Sequence, residues 1–499
     1  MVNISEEILG LSHTDPEEAI LRVMELPDSR ETDALKSSIL IDCGYDLSDK
    51  KSVEKGLNIA RSLLEAHPNN VQLQYVLANG LHASAKLVHF EDPNWYLSTH
   101  NSRSNARRLF SIVSKSDEIK DTSTQASTNL GNLLNSSYRW VEAFDAYNNA
   151  LNSDPENGVA SSGAAKILKY CLDSGVGNPD TIKHSINKYN AITESSMHRI
   201  QQYAGSEAME AIRREITSYQ ITDEKSNTVE LSDYELFVLK NRLALSPTIE
   251  NTEMSTKRWD DLRIHSIREG LDSESGVPPI FSMFNVMKSD YILARWLAYE
   301  AMNSEIPDTG YYSDTLDYGN YGAKYSLLTV AQRSAIDVLD KIAVSILDYL
   351  KIGGAKNAHF KNAWHIKDDK IFEWKPKVKN SIFEGNTALI ALTEISRDFS
   401  EKNGFLKSIG ALRNASTHRF VVLHDFSGHS SARQSRTVEH YPIEEYTNSL
   451  IDTLKVVRSS LLYFVEFVAI NETIKEHKNP GPVGQLDVPS HHYIRGDDE

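Results

Sequence analysis

The chain has 499 residues, 53 Lys and Arg against 69 Asp and Glu, a formal charge of −16, and two cysteines, Cys43 and Cys171. This acidity excludes non-specific coating of nucleic acid, and the 40% apolar content excludes wholesale disorder. Two cysteines can neither staple a secreted domain nor build a four-thiolate zinc site.

The first residues lack the basic and apolar segments of a signal peptide. No apolar run nears the roughly 20 residues of a spanning helix, and the longest, 461–470, is broken by Glu466. The expectation is a cytoplasmic protein of two or three domains with no membrane contact. Charge is uneven along the chain. Residues 240–470 hold 28 basic and 29 acidic side chains, which leaves 25 against 40 elsewhere. The near-neutral part is the better place to seek a polyanionic ligand.

In the first part, residues 122–157 show two helical runs, Ala126, Leu130, Leu133, Leu134 and then Ala143, Ala146, Tyr147, Ala150, Leu151. The polar stretch 135–139 turns the chain, and Asp154-Pro155 closes the second run. The Leu130-Gly131-Asn132 and Ala143-x-x-Ala146-Tyr147 pattern with the terminal Pro155 resembles a tetratricopeptide repeat. Gly131 and Ala143 are the small residues expected where paired helices approach. A looser copy, Ala60, Leu63, Leu64 and Ala66, precedes His67-Pro68. Pro68 and Pro155 are 87 residues apart, so the polar stretch 92–105 reads as an insertion that breaks the register. The predicted domain covers 1–220, with helices over about 181–219 and a polar break at 222–226. Such repeats stack into a surface for a protein partner.

A short helix opens the second part at 233–247, ended by Pro247. Pro278-Pro279 introduces a helix over 281–303 with the stripe Phe284, Met287, Tyr291, Ala294, Ala298 facing inward. The next helix, 323–351, turns Leu327, Val330, Ile336, Leu339, Ile342 and Ile346 inward and stops at Gly353-Gly354. Residues 356–379 interleave seven lysines with Phe360, Trp364, Phe372 and Trp374, which suits either single-stranded RNA or an amphipathic hairpin capping the bundle. Further helices are expected over 386–403 and 444–476. With no period-two strand of useful length, the predicted fold is all-α.

Between the last two helices lies Leu412-Arg413-Asn414-Ala415-Ser416-Thr417-His418-Arg419. Arg413-Asn414 followed by His418 resembles the Arg-x(4–6)-His motif of the HEPN superfamily of α-helical ribonucleases, and the likeness extends over about 228–475. The Leu239-Lys240-Asn241-Arg242-Leu243 core resembles the lead-in of a bacterial defence or toxin-type subgroup that often carries N-terminal repeats. Spacing alone does not choose the pair, since Arg61/His67, Arg258/His265, Arg419/His424 and Arg433/His440 also satisfy it. Asn414 and the position before the last core helix favour Arg413/His418. The interior of Arg419/His424 reads as buried packing.

The resemblance implies a C-terminal HEPN bundle over 228–476, a homodimer with a composite site, and metal-independent RNA cleavage without a cofactor. The ribose 2′-hydroxyl attacks the adjacent phosphorus and leaves a cyclic phosphate. His418 moves the proton, Arg413 holds the phosphate as charge builds, and Asn414 orients substrate or the imidazole. Arg419, Arg433 and Arg436 are expected on RNA phosphates, with Phe426 or Tyr441 available for stacking; a merely solvated loop is the alternative. His424, Asp425, His429 and His440 have metal-binding chemistry, but no helical pair or thiolate supports a site, so no metal is expected. Residues 477–499 read as an extended tail. The competing function is a non-catalytic scaffold that binds a partner protein or RNA.

Overall fold

The computed structural model describes residues 2–88, 94–221, 230–250, 260–270, 276–368, 371–400, 404–410, 412, 420–425, 437–478 and 483–487. The fold is all-α, edged by a few short strands. Among the described residues no helix is long and apolar enough to cross a membrane. The chain divides into two compact units. One comprises Met1–Leu231, Ser246–Arg258 and Thr393–Asn414; the other comprises Ser232–Leu245, Trp259–Leu392 and Ala415–Glu499.

In the first unit, neighbouring helices pack in pairs. Arg30–Asp46 lies on Lys50–Ala66, Val71–Lys86 on His100–Ser114, Lys120–Asn135 on Trp140–Ser153, and Gly158–Asp173 on Pro179–Ser195. Small residues permit the close approach. A Cβ on Gly131 would lie 2.5 Å from the Tyr147 ring, and one on Gly163 would also come within 2.5 Å of it. Tyr147 is thus gripped between two glycines, and its hydroxyl donates to Asn132 Oδ1 at 2.8 Å. Ala143 is fully buried. Trp140–Ser153 stops at the Asp154 cap, and the Asn157 side chain caps the next helix by accepting from the Ala160 amide. These are the tetratricopeptide-like features read from residues 122–157.

The stretch 92–105, read as an insertion that breaks the repeat register, is helical over its described part, in Trp95–Ser98 and the start of His100–Ser114. His100, Arg103 and Ser104 of this stretch are buried and meet the carboxylates of Glu394 and Asp398. Met197–Glu215 is broken at Gly205, whose φ of +84° requires a residue without a Cβ. The break expected at 222–226 lies outside the described residues.

In the second unit, Pro279–Asn303, Ala323–Tyr349 and Ile443–Lys478 pack on one another. Phe284 stacks on Phe464 with ring centroids 6.2 Å apart, and Gln332 donates to Thr453 Oγ1 at 2.8 Å inside the core. The stripe Phe284, Met287, Tyr291, Ala294, Ala298 is buried as predicted. In Ala323–Tyr349 the first turn differs: Leu328 and Ala331, not Leu327 and Val330, are the buried positions. That helix also ends before the glycines. Lys351 takes the left-handed conformation at φ +53°, and the Ile352 amide closes the end on the Leu347 carbonyl at 2.7 Å.

The segment before Pro247 is helical only over Asp233–Lys240. Arg295 then pins the chain beyond it, donating to the Leu243 carbonyl at 2.9 Å and pairing with Asp260 at 2.8 and 2.6 Å. Strands of two to five residues occur where none was predicted, except within 356–379, where a hairpin was one of the readings. His365–Asp368 and Ile371–Trp374 form a hairpin, and Trp364, Trp374 and Phe360 are buried. Those aromatic rings belong to the core and are not free to stack on bases. Val483–Asp487, in the predicted tail, pairs antiparallel with Ser266–Gly270.

Candidate functional site

Arg413, Asn414, His418, Arg419, Arg433 and Arg436 lie outside the described residues. What is described is the frame on either side of them: the approach through residues 393–400, 404–410 and Leu412, the strand that begins at Phe420, and the strand that begins at Val438.

The approach belongs to the first unit and is held by charge. The helix Thr387–Ser400 presents Glu394 and Asp398, both buried, to side chains from the repeat helices. Arg103 reaches Glu394 at 2.6 and 2.8 Å, and Arg107 reaches Glu394 at 3.2 Å and Asp398 at 2.8 Å. Arg139 pairs with Asp398 at 2.5 Å and, through its other nitrogens, with Glu142. Three guanidiniums therefore meet three carboxylates.

His100 sits among them, its Nδ1 3.0 Å from Glu394. Burial pushes the His100 pKa down to about 4, with Glu394 opposing only part of the shift. Burial would raise the Glu394 carboxyl, but Arg103, His100 and Arg107 hold it well below the usual carboxylate range; Arg107, Arg139 and His100 do the same for Asp398. Beyond the cluster, the Phe405 amide donates to Ser104 Oγ at 3.2 Å and the Arg139 guanidinium lies 5.6 Å from the Phe405 ring centre. Leu406, Ile409 and Leu412 are buried.

On the far side, Phe420–His424 is the central strand of a three-stranded sheet in the second unit. It pairs antiparallel with Gly319–Asn320 and parallel with Val438–Pro442. Register places Val422 opposite His440, so alternation puts His424 and His440 on one face as diagonal neighbours. Their rings meet: His424 Nε2 is 2.8 Å from His440 Nδ1. His424 Nδ1 lies 3.0 Å from the Asp317 carbonyl oxygen, and His424 is fully buried. The Asp317 carboxylate accepts from Thr315 Oγ1 at 2.5 Å and from the Gly319 amide at 3.1 Å. The Thr315 hydrogen bond lowers its pKa, burial opposes it, and the Gly319 amide and the two imidazoles add to the lowering.

The structure therefore brings together two of the four groups that the sequence offered as metal-binding. His429 lies outside the described residues, and Asp425 turns to Asn320 at 2.9 Å. The predicted rival pair Arg419/His424 fares as its apolar interior suggested, with Val422 and Leu423 buried, although Phe420 is 72% exposed. Tyr441, offered for stacking, donates to Glu439 and lies 6.2 Å from the Tyr446 ring.

Asp317 was missed, as were the exposed Tyr311, Tyr312 and Tyr318. The signal available was the Pro-Asp-Thr-Gly-Tyr-Tyr-Ser-Asp-Thr-Leu-Asp-Tyr-Gly composition of 307–319, rich in turn formers, aspartates and tyrosines.

The sequence model of the LA2681-like HEPN family matches residues 271–471. HEPN domains as a class are associated with ribonuclease-type or nucleotide-related functions and typically dimerise. No curated protein matches the chain significantly. Among solved structures, MamA MSR-1 C2 is similar at 17% identity over 39% of this chain and 97% of that one, with a TM-score of 0.26. MamA AMB-1 C2221 is similar at 17% identity over 38% and 97%, with a TM-score of 0.25. The chain carries an LA2681-like HEPN domain at residues 271–471 behind a tetratricopeptide-like helical unit.

Proposed function

We propose that the chain is an endoribonuclease of the HEPN type, acting as a toxin or anti-phage effector whose repeat unit governs the cutting site. One observation carries this reading: Arg413-Asn414-x3-His418 falls inside the matched span 271–471, just before its last core helix. Arg supplies a permanent charge and a planar fork for the phosphate, and His supplies a proton carrier near neutral pH. One copy offers one imidazole at this motif, so two copies in a homodimer complete an acid–base pair. Arg419, Arg433 and Arg436 hold the flanking phosphates. Regulation follows from the approach to the motif: Glu394 and Asp398 are anchored on Arg103, Arg107 and Arg139 of the repeat unit, so a protein partner that strains those helices acts on the segment entering Arg413.

The test is cleavage of single-stranded, structured and transfer RNAs by the purified chain in EDTA. The expected products carry cyclic phosphate and 5′-hydroxyl ends, and Arg413→Ala or His418→Ala lowers the rate by about 100-fold or more. Activity that survives both substitutions overturns the site. Absence of cleavage of every RNA, with the chain dimeric and folded, favours a non-catalytic scaffold that binds a protein or RNA.

A further inference from the structure

We propose that Asp317, His424 and His440 form a binding site for one divalent transition-metal ion, with zinc the best fit. The inference is independent of the ribonuclease reading, because it concerns residues outside the Arg413–His418 motif and is read by metal binding.

One donor atom from each residue lies within 4.8 Å of the others. Tetrahedral zinc with bonds of about 2.0–2.1 Å sets its donors about 3.3 Å apart. The imidazole nitrogens at 2.8 Å must part slightly, and the carboxylate must swing inward by roughly 1.5 Å on the same tetrahedral geometry. Asp317, in the turn before Gly319, and His440, in the middle of its strand, are both half-buried, so neither movement opens the core. His424, the buried member, needs none.

The tautomer is already the one a metal requires. A carbonyl oxygen only accepts, so His424 Nδ1 carries its proton toward Asp317 O and Nε2 presents a lone pair to the cluster. Metal-bound imidazoles are commonly oriented in this way, with the second ring nitrogen donating to a backbone carbonyl. The neutral partner, His440, then donates from Nδ1; moving that proton to its own Nε2 frees a second lone pair, and the cation takes the place of the shared hydrogen. Thr315 and Gly319 both bond to Oδ1 of Asp317, which leaves Oδ2 to face the ion.

The turn that carries Asp317 is built at a cost. Leu316 and Tyr318, on either side, both adopt left-handed backbone with φ of +57° and +59°. Non-glycine residues there cost roughly 1–3 kcal/mol each and persist when the surroundings impose them. Gly319 admits the carboxylate, since a Cβ there would sit 3.0 Å from Asp317 Oδ1. Two imidazoles and one carboxylate select a d-block ion over magnesium or calcium, which take oxygen donors. Three protein ligands leave a fourth position for water. The bound ion would tie the 317–320 turn to the strands that flank residues 425–437.

The experiment uses the full chain, stripped with EDTA, dialysed, and titrated at pH 7.5 with zinc chloride by calorimetry and with cobalt(II) by absorbance. The expected result is one ion per chain and a tetrahedral cobalt spectrum. Asp317→Asn and His440→Gln, each at a half-buried position and checked for unchanged circular dichroism, should weaken zinc by about 10–100-fold, the scale on which even groups supporting a metal's ligands act. No saturable uptake at about 100 μM zinc, where a site with micromolar affinity is filled, or uptake unchanged in the double variant, overturns the site and leaves the two histidines sharing only a proton.

Discussion

The two units bury polar groups in opposite ways. In the repeat unit, Arg103, Arg107 and Arg139 face Glu394, Asp398 and Glu142, a set of permanent cations against carboxylates held ionised. In the HEPN unit, His424 and His440 meet through one hydrogen bond beside Asp317. The first arrangement has no low-energy alternative, because any lost partner strands a charge away from water. The second would, on the reading proposed above, trade its shared hydrogen for a cation with little rearrangement. A chain that must hold one segment fixed and let another respond would separate its polar groups in this manner. The fixed cluster lies on the approach to Arg413, and the exchangeable one lies on the strand that follows His418.

Breaking the fixed cluster should have the largest effect. Asp398 serves Arg107 and Arg139 at once, and the Ser104 hydroxyl also donates to it. Asp398→Ala should cost about 3–5 kcal/mol, the range for removing one partner of a buried ion pair. Urea unfolding with hydrogen exchange followed on peptides covering 100–139 checks this, and a loss under about 1 kcal/mol would mean that the cluster behaves like a surface bridge.

Acid should attack the same place next. The folded pKa of His100, about 4, lies below the ordinary 6.5, so the unfolded chain takes up the proton first as pH falls. Stability is complete above pH 6.5, declines by about 1.4 kcal/mol per pH unit between 6.5 and 4, and then levels off for this group. The total is on the order of 3 kcal/mol. Glu394 and Asp398, with lowered pKa values, add their loss only at still lower pH. His100→Asn should flatten the slope between pH 6.5 and 4, and an unchanged slope would place the titration elsewhere.

Much of this contrast was hidden in the sequence, for identifiable reasons. Helical periodicity revealed the pairs around Gly131 and Tyr147 and the Phe284 stripe, because those contacts are local or lie on one helix face. The ion cluster joins Arg103 to Glu394 across 291 positions, and nothing in either neighbourhood marks them as partners. The polar composition of 92–105 suggested an insertion, when its Arg103 is on the buried side of a helix. The short strands escaped for another reason: Phe420–His424 is five residues long, too short for period-two alternation to stand out, and its sheet partners come from 319–320 and 438–442. The Arg413/His418 pair could be singled out from the sequence because the HEPN pattern is local. Asp317 was not, because its meaning depends on His424 across the sheet.

The smallest effect should come from the exchangeable pair, and it is the sharper half of the comparison. His440→Gln removes the ring but keeps an amide donor that can reach His424 Nε2, so His424 keeps a hydrogen-bond partner. His440 is half-buried, which leaves little packing to lose. In the metal-free chain at pH 7.5 the cost should be below about 1 kcal/mol, measured by the same urea transition. Zinc adds its own term: with one site filled at about 100 times its dissociation constant, the original chain gains about 2.7 kcal/mol, and the variant should gain almost none. The two measurements separate a responsive site from a rigid one. A cost of several kcal/mol without metal would make His440 a structural member on the same footing as Asp398, and the contrast between the two units would fail at that residue.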